Sequence, residues 1–126
     1  MAINAAALYK NTSIQTASPA ELTLMLYEGA IKFANRAIIA MEKNDIQGVN
    51  INRIKTQRII GELRGVLDHK YAVAKDFENV YNLIYDLLIQ ANIKKDIDMA
   101  ERALGYIREM RDTWKQVMEI TNKTAR

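Results

Sequence analysis

Residues 18–42 read SPAELTLMLYEGAIKFANRAIIAME, and the reading of this stretch decides the fold. The Ser18 side chain can accept from an early backbone N–H while Glu21 reaches back, and Pro19 has its φ preset for the first helical position. That combination starts a helix. Leu22, Met25, Leu26, Phe33, Ala37 and Met41 then form one apolar set, and Leu24, Tyr27, Ile31, Ala34 and Ile38 flank it with a second. At about 100° per residue, Glu21, Glu28, Lys32, Asn35 and Glu42 share one narrow polar stripe. Most of this helix is therefore apolar, and it needs neighbours on more than one side.

Those neighbours follow downstream. The turn Lys43-Asn44-Asp45 offers a cap for a second helix over about 45–69, with Ile59, Ile60, Leu63, Val66 and Leu67 as its core stripe. Ile51 and Ile54 fall off that stripe, as an exposed apolar pair. The pattern breaks around 69–73, and a third helix runs to about residue 92. It carries Ala74, Phe77, Tyr81, Ile84, Leu88 and Ala91 on one side and Val80, Leu83 and Leu87 on another. Asp96 opens a last helix, with Ile97, Ala100, Leu104, Ile107, Trp114, Val117 and Met118 inward and Arg102, Glu109, Asp112 and Lys115 outward. Short connections force antiparallel neighbours, so the expected fold is all-α: an up-down-up-down four-helix bundle over 18–126. Residues 1–17 are expected to form an amino-terminal arm, with at most one helical turn around 5–9.

Composition narrows the function. With 49% apolar and 26% charged residues the chain reads as one soluble domain, large enough to need no staple. It has no Cys, which excludes disulfides, thiolate metal sites and thiol catalysis. The single histidine, His69, falls in a turn and no Glu-x-x-His pair occurs, so a carboxylate-bridged di-iron site lacks its nitrogen ligands. No phosphate-cradling glycine motif surrounds Gly61 or Gly65. Neither an enzyme nor a cofactor is expected. No membrane span, membrane insertion or signal peptide is expected either, and the location read from this is cytoplasmic. A net charge of +3 spread along the chain, with Arg53, Lys55, Arg58 and Arg64 dispersed around the second helix, favours a solvated face over nucleic-acid binding.

The first and third helices carry more apolar surface than a four-helix bundle asks of them. One account is that these two helices are simply the most buried, with the arm over the remainder. The other is a groove that receives amphipathic helices from a second chain. Tyr9, Tyr27, Tyr81 and Tyr85 suit the rim of such a groove, because a tyrosine buries its ring while its hydroxyl stays wet. The candidate protein-binding residues are Leu24, Tyr27, Ile31 and Ile38, then Ile51, Ile54, Tyr81 and Tyr85, with Leu8 and Tyr9 on the arm. Trp114 is read as core.

Several runs together resemble the flagellar secretion chaperone family: Thr16-Ala17-Ser18-Pro19-Ala20-Glu21-Leu22, Met25-Leu26-Tyr27-Glu28-Gly29-Ala30, Lys55-Thr56-Gln57, Ala91-Asn92 with Asp96, and Arg111-Asp112-Thr113-Trp114-Lys115. Tyr9 stands at the family's amino-terminal tyrosine. The resemblance covers almost the whole chain in order, with departures at Ala6, Glu28, Asn82 and Leu83. It implies a cofactor-free cytoplasmic chaperone that binds the disordered carboxy-terminal segment of flagellin as that segment folds into helices. Such a chaperone would block premature filament assembly and hold its client for the flagellar export gate; a homodimer of the empty protein stays open. Two rival readings are a structural helical subunit that self-associates and a weak nucleic-acid binder using the second helix.

Overall fold

Helix caps written into the sequence set the elements. The computed structural model describes residues 18–125, with side chains described through residue 121, and contains four helices: α1 (Pro19–Glu42), α2 (Ile46–Gly65), α3 (Val73–Lys94) and α4 (Ile97–Ala125). The arm expected over 1–17, including Leu8 and Tyr9, lies outside the described residues. Ser18 Oγ accepts from Glu21 N at 3.2 Å, and its hydroxyl donates to Glu21 Oε1 at 3.1 Å, so the carboxylate returns to the cap hydroxyl. Asp45 accepts from Gly48 N at 3.0 Å and Asp96 from Met99 N at 3.2 Å, which starts α2 and α4. α3 ends at Lys95 in the left-handed region, with φ 54°.

The helices close a ring in which α1 packs on α2, α2 on α3, α3 on α4 and α4 on α1. Contacts across two of these seams show that neighbours run antiparallel. Gly29 approaches Ile59, Phe33 meets Lys55, and Gly48 faces Ala40 along α1 and α2. Trp114 Nε1 donates to Ala20 O at 2.9 Å, and Arg111 sits 3.8 Å from Glu28, along α4 and α1. The up-down-up-down bundle expected from the short connections is the one observed.

The centre holds Tyr27, Ala30, Phe33, Ala34 and Ile38 from α1 against Ile59, Ile60, Leu63, Tyr81, Ile84, Leu88, Ala103 and Ile107. Three expectations change here. Tyr27 and Tyr81, expected on a groove rim, and Ile38, expected to bind a partner, are inside, at 1%, 2% and 5% exposure. The hydroxyls of Tyr27 and Tyr81 are not wet; they hydrogen-bond each other across the bundle, joining the diagonal helices α1 and α3. Val66 is exposed because α2 stops at Gly65, one residue before Val66 could turn inward. Trp114 is half-buried at the edge of the core, its ring packed and its N–H occupied.

Gly61 lies inside α2, where an added Cβ would meet nothing within 4 Å. Gly61→Ala is therefore expected to stabilise the protein by about 0.5–1 kcal/mol, by restricting the unfolded chain and improving helix propensity. A rise in the urea midpoint at unchanged slope is the check.

Candidate functional site

The α2–α3 seam carries a polar bridge between its helices. Arg64 Nη1 donates to Asn82 Oδ1 at 2.8 Å, and its guanidinium lies 5.5 Å from the Tyr85 ring centroid. At the other end of the seam Arg53 and Asn92 share the lining of a cavity of about 10 Å³ with Ala37, Val49, Leu88 and Ala91. Arg53 donates to Gln57 Oε1 at 2.8 Å, while its Nε is buried without a hydrogen-bond partner. A cavity this small is close to one water molecule, far below the roughly 300 Å³ at which small-molecule sites begin.

The Arg64–Asn82 hydrogen bond and the cavity lining shared by Arg53 and Asn92 set the register of the seam. Ile54 follows Arg53 and Ile93 follows Asn92, so the two isoleucines flank the seam at one level, 40% and 66% exposed. Ile89 lies on the same row of α3 as Tyr85 and Asn92, and both it and Tyr85 are half-buried. Ile51 stands one turn before Ile54 on the outer face of α2 and is also exposed. Ile54, Tyr85, Ile89 and Ile93 make an apolar strip over a seam bridged by the Arg64–Asn82 hydrogen bond. Gly61, with open space at its Cβ, leaves the middle of that strip shallow.

The ten sequence candidates do not form one surface. Leu24 and Ile31 are half-buried and flank Glu28, whose pairing with Arg111 turns that row of α1 toward α4, on the opposite side of the ring from the α2–α3 seam. Tyr27, Ile38 and Tyr81 are core. Ile54 and Tyr85 remain near the seam, Ile51 lies on the outer face of α2 between that seam and the α1–α2 groove, and Leu8 and Tyr9 lie outside the described residues. Ile89 and Ile93 were missed by sequence reasoning. Their signal is that they interrupt the polar row of Asn79, Asn82 and Asp86 on the outer side of α3.

Burial holds both central tyrosines neutral. Desolvation, then the neighbouring hydroxyl, pushes Tyr27 far above its ordinary 10.0. Burial likewise raises Tyr81, partly offset by the hydrogen bond from Tyr27. Neither is placed to exchange a proton with anything in solvent. Among the described residues no group of His, Asp or Glu is arranged to hold a metal ion, and no helix is long and apolar enough to cross a membrane.

Comparison with known proteins adds to this geometry. Residues 1–121 match the family described as flagellar protein FliS. The chain is 41% identical over 115 residues to the flagellar secretion chaperone FliS of Bacillus subtilis, covering 91% of this chain and 86% of that protein. It is 31% identical over 124 residues to the protein of the same name from Vibrio cholerae, covering 93% and 91%. With the one from Escherichia coli it shares 29% over 108 residues, covering 83% and 79%.

Proposed function

Because the chain belongs to the flagellar protein FliS family, of flagellar secretion chaperones, we propose that it binds flagellin through the carboxy-terminal segment of that client, in the cytoplasm. The observation that carries the reading is the apolar strip of Ile54, Tyr85, Ile89 and Ile93 over the polar seam. A segment that is disordered when free cannot bury its own apolar residues, and it gains by laying one face of a nascent helix along this strip. Ordering the client costs several kcal/mol of the gross interaction, which keeps the complex releasable. Covering the segment prevents premature polymerisation and keeps it available for hand-over to the export gate. Binding of this kind needs no cofactor.

The arm over 1–17 has a role in the same reading. Leu8 and Tyr9 are the apolar residues with which this arm competes with the client. Leu22, Val66, Tyr71 and Val73 are exposed apolar residues at one end of the bundle, a surface open to such competition. Deleting residues 1–13 is expected to tighten client binding; unchanged affinity would remove the arm from the mechanism.

The central test is titration with a flagellin carboxy-terminal peptide. A one-to-one complex is expected, and self-association without it would favour a structural subunit instead. Ile54→Asp should weaken binding at least tenfold, since it removes the apolar contact and leaves a carboxylate to be desolvated under the client. Its melting transition should stay cooperative, because Ile54 is already in contact with solvent. Full affinity in Ile54→Asp and in Ile93→Asp would move the site elsewhere.

A further inference from the structure

Phe33 is a buried ring surrounded by positive charge. Lys32 Nζ lies 5.4 Å, Arg36 Cζ 5.7 Å and Lys55 Nζ 5.3 Å from its centroid. Lys32 and Arg36 stand on the outer side of α1 and Lys55 on α2, so the three converge over the outer groove between these helices. Arg58 follows Lys55 one turn along α2 and is exposed. None of the four has a carboxylate within ion-pair distance among the described residues. The nearest acids in sequence are spoken for or displaced: Glu28, one turn before Lys32, pairs with Arg111 on α4, and Glu62 lies one turn beyond Arg58.

Three cations gathered around one ring repel one another unless something negative joins them. The Phe33 ring offsets part of that repulsion, at about 0.5–1 kcal/mol for an exposed cation on its face. Beside the cations, toward the α1–α2 turn, Ile39 and Ile51 are 46% and 45% exposed. The pairing of Ala40 with Gly48 and of Phe33 with Lys55 sets them at nearly the same level across the groove.

We propose that the outer α1–α2 groove is a second docking surface, one that takes an acidic amphipathic helix from a partner protein. Ile39 and Ile51 receive its apolar row. Lys32, Arg36, Lys55 and Arg58 receive carboxylates spaced three or four residues apart along it. Charge complementarity selects an acidic partner. The aliphatic flank selects a protein helix over nucleic acid, because Phe33 is covered and offers no face on which a base can stack. This groove adjoins the α2–α3 strip around the ring, separated from it by the outer face of α2.

The experiment uses the full chain and two synthetic peptides of identical composition. One arranges Leu and Glu as an amphipathic helix; the other has the same residues scrambled. The amphipathic peptide is expected to bind at least tenfold more tightly than the scrambled one. Neutralising the cluster with Lys32→Gln, Arg36→Gln and Lys55→Gln, which keeps side-chain stems over Phe33, should lose at least tenfold of that affinity. Ile39→Ser with Ile51→Ser should lose a similar factor, with the far-ultraviolet spectrum unchanged in both variants. Equal binding of the two peptides, full affinity after neutralisation, or equal competition by a DNA duplex or by anionic vesicles at matched charge would each overturn the proposal.

Discussion

Tyr81→Ala is expected to remove about 3–5 kcal/mol of stability, enough to leave a domain of this size close to unfolding. Tyr81 is almost wholly buried, sits in an edge-on arrangement 6.4 Å from Phe77, and shares its hydroxyl with Tyr27. Truncation opens a cavity at the centre and leaves the Tyr27 hydroxyl without a partner. Phenylalanine separates these two losses. Tyr81→Phe or Tyr27→Phe alone keeps the ring but strands one buried hydroxyl, which costs about 1–3 kcal/mol. Replacing both should cost much less than the sum of the singles, because no unpaired hydroxyl remains. Urea denaturation of the four proteins closes the cycle; additive single losses would mean that the pair is not coupled.

The same pair gives the bundle an alkaline limit. Both folded hydroxyls titrate above the ordinary tyrosine value of 10.0, so the folded state holds protons that the unfolded chain releases. Their contribution is fully present below the unfolded value and is lost as pH rises past it. Melting temperature should therefore fall more steeply above about pH 10 in the natural protein than in the double Phe variant.

Gly48→Val is expected to be the other large loss, about 2–4 kcal/mol, from a displaced cap and an overpacked seam. An added Cβ at Gly48 would lie 3.1 Å from Ala40 Cβ and would run into the Asp45 carboxylate. That carboxylate caps α2 by accepting from Gly48 N, so a side chain here pushes away the group that starts the helix. Backbone conformation is not the reason, since no glycine among the described residues has positive φ. The contrast with Gly61→Ala in the same helix is the control, because that site is open and gains stability. A stability for Gly48→Val within 1 kcal/mol of the natural protein would show that the α1–α2 turn can move aside.

Helix number, order and starts were legible because their signals are local, whereas α2, expected to run to about residue 69, ends at Gly65. Ser18 with Pro19 and Glu21, Asp45 ahead of Gly48, and Asp96 ahead of Met99 each decide a helix start within one turn. The exposed pair Ile51 and Ile54 was legible for a similar reason, since both fall off the Ile59–Ile60–Leu63 stripe at a fixed angular step. The site was legible only in part. Tyr27 and Ile38 belong to one of two apolar sets on α1, and periodicity cannot rank two sets that both qualify.

The chain alone determined that this is an antiparallel four-helix bundle with surplus apolar surface, because caps, breaks and periodicity act between residues a few positions apart. Tertiary structure decided which surface is surplus. A helix is free to rotate about its own axis until its neighbours are placed. In this ring the Tyr27 and Tyr81 hydroxyls find each other only when both faces turn inward. That rotation leaves Ile54 and Ile93 outside on the α2–α3 seam, and it carries Lys32, Arg36 and Lys55, from two helices, onto one phenylalanine.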